Sequence, residues 1–157
     1  MRRPFIVLAL LGISLAACDK STAPPSYPVP LIDTTTFAAS LNVDVKSMTK
    51  STTGLYYADS VVGTGATAAA GDSVWVTYTG WLVDGTMFDS NADTTAYPFR
   101  LGDAGIIQGF NEGVTGMKVG SWRKLVIPPS LGYGDQWVGP IHPNSILVFN
   151  VKVDSVK

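Results

Sequence analysis

Several short stretches in the second half of the chain alternate hydrophobic and polar residues with the period of a β-strand. The clearest is 73–81, where Val74, Val76 and Tyr78 fall on one face, as in a half-buried strand. The pair Asp84-Gly85 follows, and Asp-Gly is a strong local signal for a hairpin turn. Further strands are predicted at 53–62, 97–101, 121–127 and 146–156.

One stretch has the helical period instead. From residue 106 to residue 117, Ile107, Phe110 and Val114 fall at i, i+3 and i+7, which gives one apolar face. Glycines within this stretch weaken the helix, so packing must hold it and we expect it to be short. A long loop at 130–144, rich in aromatic side chains, precedes the last strand, and loops of this length are usually functional. Several strands with one short helix predict an α+β domain.

The N-terminal part of the chain has a different organisation. Arg2-Arg3 and the apolar run 5–15 are typical of an export signal, and Leu15-Ala16-Ala17-Cys18 resembles the lipobox of bacterial lipoproteins. We therefore predict a signal peptide at 1–17 and lipidation of Cys18, with a plain secretory signal as the alternative. The predicted segments that follow are a Pro/Ser-rich tether at 18–30, an N-terminal extension at 31–52 and a main domain at 53–157.

These N-terminal features predict a location. The chain is expected in the bacterial cell envelope, lipid-anchored to a membrane and facing the periplasm. Asp19 follows the lipidated position, which in enterobacterial lipoproteins tends to retain the protein at the inner membrane, but the choice of membrane stays open. The extension is expected to form either a short helix or an extended segment laid on the domain.

Composition and charge exclude several classes of function. Eleven basic and 12 acidic residues give a net charge of −1 without a basic run, so nucleic acid is not expected as a partner. Cys18 is the only cysteine, which excludes an intramolecular disulfide. His142 is the only histidine, and no carboxylates are spaced to complete a metal site with it. A hydrolase built on Asp89 and Asp93 is also disfavoured. We expect neither a metal nor a cofactor.

Three segments together resemble one known family. YTGWLVDGTMFDS, LGDAGIIQGFNEGVTGMKVGSWRKLVIPPSLGYG and PNSILVFNVKV are similar, in order and nearly in spacing, to the FKBP-type peptidyl-prolyl cis-trans isomerases. The resemblance runs from about Gly54 to the C-terminus. It implies a twisted antiparallel β-sheet wrapped around one short α-helix. It also implies an enzyme that accelerates X–Pro bond rotation in the folding of exported proteins, with proline-containing polypeptides as partners.

The resemblance implies a set of site residues as well. Phe110 would form the floor of a proline pocket, while the Ile107 N–H and the Tyr133 hydroxyl would donate hydrogen bonds to carbonyl groups of the ligand. Asp89 would orient Tyr78 instead of acting as a general base. The catalytic positions implied are Tyr78, Phe88, Asp89 and Tyr133. The substrate-binding positions implied are Tyr97, Ile106, Ile107, Phe110, Ile141 and Phe149.

Each of these residues also has an ordinary structural interpretation. Tyr78 and Phe149 alone are typical of a strand core, as is Ile106, and Asp89 alone is typical of a turn cap. Their joint occurrence favours the enzyme. The alternative is an FKBP-fold binding module or chaperone with little catalytic turnover. The oligomeric state stays open.

The chain also departs from the family pattern in two loops. Asp93-Thr94-Thr95 stands where the family often has a basic residue, and the 130–144 loop is one residue shorter near Trp137. His142 replaces a frequent proline in that loop. We expect these differences to alter substrate preference more than activity, and we predict that Trp137 lies over the mouth of the pocket.

Overall fold

The computed structural model describes residues 25–157, which form a seven-stranded antiparallel sheet and one α-helix. The strands are β1 (Thr49–Lys50), β2 (Tyr56–Val61), β3 (Ser73–Leu82), β4 (Met87–Ser90), β5 (Tyr97–Arg100), β6 (Trp122–Ile127) and β7 (Leu147–Val156). The helix α1 spans Gln108–Val114, and 3₁₀ turns occupy Ile32–Thr34, Ala39–Leu41 and Pro129–Leu131. The predicted α+β class is confirmed. The predicted signal peptide, Cys18 and the first part of the tether lie outside the described residues.

The sheet is organised around its two longest strands. The strand order is β1-β2-β6-β7-β3-β4, and β5 also pairs with β3. β3 and β7 pair along their whole lengths, from Val74↔Val156 to Leu82↔Leu147. β4 pairs with the C-terminal half of β3 and β5 with its N-terminal half, so this edge is effectively one strand broken at residues 91–96. The position of Pro98 in β5 agrees with the edge position that proline predicts.

The Asp-Gly turn joins β3 to β4 as predicted. The Leu82 N–H donates to the Thr86 carbonyl at 2.8 Å, and the Thr86 N–H donates to the Asp84 carboxylate at 2.8 Å. Gly85 has a φ of +89°, a left-handed conformation that glycine adopts without steric cost. The turn therefore sets the register that brings Phe88 and Asp89 alongside β3.

The helix is shorter than its sequence pattern predicted. It occupies 108–114 instead of 106–117, because Ile107 keeps a ψ of 142° and Thr115 a ψ of 132°, both outside the helical range. Gly116 then reverses the chain with a φ of +81°. The strand predicted at 53–62 corresponds to β2, which is shorter too and spans Tyr56–Val61. Because the helix begins at Gln108, Ile106 and Ile107 lie on a loop at its N-terminal end.

The glycines within α1 allow it to pack closely against the sheet. A Cβ atom on Gly109 would come within 2.4 Å of the Ile127 side chain, and one on Gly113 within 2.6 Å of the Leu125 side chain. Both glycines therefore face β6 at a distance that no larger residue permits. The residues that weaken the helix in isolation are thus the ones that let tertiary packing hold it.

Both faces of the sheet are covered. The helix lies on one face, and residues 31–48 cover the other. On that second face Ile32 and Leu41 are buried together with Tyr56, Val126 and Val148. Strands buried on both faces are apolar at consecutive positions, which accounts for the uninterrupted apolar runs in β6 and β7.

The extension is an extended segment laid on the domain, with two short 3₁₀ turns. It is also continuous with the sheet, since Thr49 and Lys50 pair with Tyr57 and Tyr56 of β2. Among residues 25–157, no helix has the length and apolar character needed to cross a membrane.

Candidate functional site

A cavity of about 320 Å³ opens between the N-terminal end of α1, the strand β3 and the loop that carries Tyr133. Its lining includes most of the positions named from the sequence, together with Gly105, which was not named: Tyr78, Asp89, Tyr97, Ile106, Ile107, Phe110, Tyr133 and Phe149. The two remaining positions, Phe88 and Ile141, line an adjoining depression that shares Asp89 and Tyr133 with the cavity. The structure therefore brings together residues that are spread from 78 to 149 along the chain.

The inner surface of the cavity is a cluster of aromatic rings. Phe110 is buried and meets the Tyr78 ring edge-on at 5.6 Å and the Phe149 ring at 5.3 Å between centroids. Phe88 meets Phe149 in the same way at 5.4 Å. Edge-to-face contact places the positive edge of one ring on the negative face of another, which favours these orientations. The cluster gives the cavity rigid apolar walls.

Gly80 makes this aromatic cluster possible, and sequence reasoning missed it. A Cβ atom at this position of β3 would lie 2.7 Å from both the Phe88 and the Phe149 rings. Only glycine therefore lets the two rings meet over the strand. A glycine inside an otherwise regular strand is a signal of close approach, and that signal was present in the sequence.

The only polar contact between side chains of the cavity joins Tyr78 and Asp89, as far as the described residues show. The Tyr78 hydroxyl donates to the Asp89 carboxylate at 2.7 Å. The two residues stand on neighbouring strands, where Asp89 pairs with Gly80 in the β3–β4 register. The hydrogen bond fixes the orientation of the Tyr78 ring at the wall of the cavity.

Two donors that were expected to hold a ligand have no acceptor within residues 25–157, and the same is true of the Tyr97 hydroxyl in the same wall. The two expected donors are the backbone N–H of Ile107 and the hydroxyl of Tyr133. The Ile107 N–H is left free because Ile107 precedes the helix with an extended backbone. Both donors therefore remain available to a bound molecule.

The pKa values of both tyrosines in the wall are raised. For Tyr78 the causes are burial first, then the hydrogen bond to Asp89 and the negative charge of that carboxylate. For Tyr133 burial raises the pKa most, followed by the charge of Asp89. Both effects disfavour the phenolate, so each hydroxyl keeps its proton and serves as a donor at neutral pH.

This raised pKa predicts how Tyr78 titrates. An unfolded tyrosine ionises near pH ~10, whereas the pKa of folded Tyr78 is higher, chiefly because of burial, so the folded state loses stability through this group only as the pH rises above ~10. We expect the ultraviolet titration curves of the wild type and the Tyr78→Phe variant to coincide up to pH ~10 and to separate only above it. If the two curves already differ by about half a tyrosinate at pH ~10, Tyr78 has the pKa of an ordinary tyrosine, which would contradict the raised pKa.

Asn91 supports the cavity from the broken edge of the sheet and was not identified from the sequence. It is 8% exposed, its side-chain oxygen accepts the Tyr78 N–H at 2.6 Å, and its side-chain nitrogen donates to the Val76 carbonyl at 2.9 Å. The amide thus replaces a strand partner between β4 and β5. Nothing local marks a loop asparagine as buried, so only the tertiary structure reveals this role.

Asn111 supports the loop before the helix in a similar way. Its side chain accepts the Gly102 N–H at 2.9 Å and donates to the Asp103 and Ile106 carbonyls at 3.0 and 3.2 Å. This loop carries Ile106 and Ile107 into the cavity wall. Asn111 lies four residues after Ile107 and three before Val114, beside the apolar stripe of the helix, and the sequence pattern alone does not reveal its hydrogen bonds to the loop.

Trp137 does not lie over the mouth of the cavity, so that prediction is wrong. Its ring contacts His142 at 4.4 Å and Tyr27 of the tether at 5.5 Å, and it lines neither the cavity nor the adjoining depression. The 130–144 loop folds back on itself between Val138 and Ile141. This reversal turns Trp137 away from the cavity, towards the tether.

An antiparallel sheet packed on one short helix, with an aromatic cavity between them, is the arrangement of FKBP-like domains. The structure of FkpA from Escherichia coli superposes on this chain with a TM-score of 0.66 at 42% identity, covering 71% of this chain and 52% of that one. The family model described as FKBP-type peptidyl-prolyl cis-trans isomerase matches residues 65–154. The chain belongs to that family.

Curated relatives give the same assignment. FK506-binding protein 3 of Candida albicans is 43% identical over 104 residues, which are 66% of this chain and 24% of that protein. FK506-binding protein 2 of Dictyostelium discoideum is 48% identical over 86 residues, which are 54% of this chain and 65% of that protein. The chain spans about a quarter of the length of the fungal relatives it matches.

Proposed function

We propose that this chain catalyses cis–trans isomerisation of X–Pro bonds in polypeptides. Membership of the isomerase family supports this activity. The observation that carries it is the aromatic cavity with two free donors, the Ile107 N–H and the Tyr133 hydroxyl, in its wall. A proline ring is apolar and compact, and the carbonyls on either side of it are hydrogen-bond acceptors. The cavity and its donors match both properties.

The mechanism follows from the bond that must rotate. Resonance in the X–Pro amide creates a barrier of ~18–20 kcal/mol, and uncatalysed exchange takes about 10–100 s. Rotation breaks the conjugation and leaves the twisted amide less charge-separated than the planar one. An apolar site that removes water from the amide therefore favours the twisted state over the planar state. Rotation needs no covalent intermediate and no proton transfer.

Each residue of the site has a proposed part in this rotation. Phe110 forms the floor under the proline ring, and Phe88 and Phe149 exclude water on one side. The Ile107 N–H and the Tyr133 hydroxyl hold the flanking carbonyls, so that the peptide is bound in the conformation that rotates most easily. Asp89 orients Tyr78 and takes no proton. Tyr97, Ile106 and Ile141 complete the apolar contact surface.

The experiment that tests this function is a proline-peptide exchange assay with the full chain. We expect the cis form of an X–Pro peptide to relax faster than the uncatalysed ~10–100 s, in proportion to enzyme concentration. The FKBP-fold binding module, the alternative function, predicts peptide binding without acceleration. Binding measured by peptide NMR titration alongside the assay separates the two outcomes. No gain in rate would refute the isomerase and leave the fold assignment intact.

We also propose that the chain is a lipoprotein of the bacterial cell envelope that faces the periplasm and assists exported proteins. The basic n-region, the apolar run 5–15 and the Leu15-Ala16-Ala17-Cys18 sequence support this location. Mass spectrometry of the mature N-terminus tests it directly. A diacylglyceryl-modified Cys18 is the expected product, Cys18→Ser is the control that blocks it, and an unmodified N-terminus beyond residue 18 would contradict the anchor.

A further inference from the structure

The described end of the tether contacts the domain through the side chain of Tyr27. Pro28 and Val29 are exposed, whereas Tyr27, directly before them, is half-buried. Its ring stacks on His142, with centroids 5.5 Å apart and planes inclined by 12°, and meets Trp137 edge-on at 5.5 Å. The tether is therefore docked at Tyr27.

A hydrogen bond adds to this aromatic contact. The Asn144 side-chain nitrogen donates to the Tyr27 carbonyl at 2.6 Å, while the Asn144 backbone N–H donates to the Gly134 carbonyl at 2.6 Å. Asn144 has a φ of +59°, so its backbone is already committed to closing the base of the 130–144 loop. The same residue thus closes the loop and holds the tether.

The docking point lies behind a small hairpin that lines the functional site. Val138 and Ile141 exchange two backbone hydrogen bonds, of 3.0 and 2.9 Å, and both line the depression that shares Asp89 with the main cavity. Successive residues along a β-strand point to opposite faces. Trp137 and His142, the next pair outwards, accordingly face away from the depression and contact Tyr27.

We propose that Tyr27 is a positioning residue for the peptide site. Its ring contacts with Trp137 and His142 lie on the side of the hairpin that faces away from the depression. These contacts hold the hairpin in the position that places Val138 and Ile141 against a bound peptide. The tether then acts on substrate binding as well as spacing the domain from its N-terminus. The kinetic part of this inference rests on the proposed isomerase function, whereas the docking itself does not.

The test compares three variants of the full chain. For Tyr27→Ala we expect KM for a proline peptide to rise about threefold to tenfold with kcat nearly unchanged, since an aromatic pair contributes on the order of 0.5–1.5 kcal/mol. Tyr27→Phe keeps the ring and the backbone carbonyl, so it should restore the wild-type KM. Val29→Ala, a smaller truncation at a nearby tether position that is 66% exposed, is the control and should change nothing.

A second readout does not depend on activity. The indole N–H resonance of Trp137, assigned by its loss in Trp137→Phe, should shift in Tyr27→Ala and stay in place in Val29→Ala. An unmoved resonance in Tyr27→Ala would show that the tether is not docked and would overturn the inference. A shifted resonance with an unchanged KM would overturn the positioning role alone.

A double mutant and a binding measurement complete the design. Trp137→Ala should raise KM as Tyr27→Ala does, and the double variant should show little more than either single change, whereas full additivity would contradict a shared contact. A wild-type chain without exchange activity would refute the proposed function. In that case the peptide dissociation constant of each variant would be measured instead of KM and would still test the role of Tyr27. Failure of the proposed function and failure of the inference about Tyr27 are therefore distinguishable.

Discussion

Replacing Asp89 with alanine is expected to lower kcat/KM for a proline peptide about tenfold while the chain stays folded. The Asp89 carboxylate accepts the Tyr78 hydroxyl at 2.7 Å, and the charge assists that hydrogen bond. Without it the Tyr78 ring loses its fixed orientation in the cavity wall. Asp89 is itself exposed, so its removal opens no cavity and the thermal midpoint should change little. The exchange assay and a thermal melt measure the two quantities.

Asp93→Ala is the matched control for this prediction. It removes the same charge from an exposed position of the following loop, outside the lining of the cavity, and should leave kcat/KM unchanged. Tyr78→Phe combined with Asp89→Ala should cost little more than the larger single change, because both variants break one contact. If Asp89→Ala and Asp93→Ala have equal effects, the orienting role of Asp89 is wrong.

Truncating Phe149 to alanine is expected to reduce the free energy of unfolding by about 3–5 kcal/mol. Phe149 is 4% exposed, stands in β7 at the centre of the sheet, and contacts the rings of Tyr78, Phe88 and Phe110. The lost volume becomes an internal cavity that three rigid aromatic rings cannot collapse to fill. Urea denaturation followed by circular dichroism measures the loss. Exchange activity should fall in the same variant, because Phe149 also walls the cavity.

Two comparisons make this prediction specific. Phe149→Leu keeps most of the volume and should cost less than about 1.5–2 kcal/mol, which separates packing from the aromatic contacts. Phe37→Ala makes the same chemical change at a half-buried position on the opposite face of the sheet, and should cost less than Phe149→Ala. A similar loss for the two Phe→Ala variants would contradict a central role for the aromatic cluster.

The existence and type of most elements could be predicted from the sequence because those properties depend on local periodicity. Alternation at 73–81 and the Asp84-Gly85 pair predicted β3 and its turn to β4, and both are present. The helix was predicted with incorrect ends. Its apolar face extends to Ile107, but the backbone there is extended to place that residue in the cavity wall, and periodicity carries no information on such a conformation.

The 130–144 loop shows where sequence reasoning failed. Trp137 was predicted to lie over the mouth of the pocket. In the structure the reversal between Val138 and Ile141 turns it towards Tyr27, 110 positions earlier in the chain. A side chain's direction in an irregular loop depends on hydrogen bonds across the loop, which have no repeating pattern to read.

The sequence by itself determined the α+β class, the positions of the main strands along the chain, the one short helix and most of the residues that line the cavity. These follow from local periodicity and from motifs whose spacing matches a family. Only the tertiary structure decided that Gly80 makes room for two rings, that Asn91 replaces a strand partner and that Tyr27 holds the loop hairpin. Each of these roles is a contact between residues distant along the chain. Such contacts are set by register and packing, which become visible only once the sheet has formed.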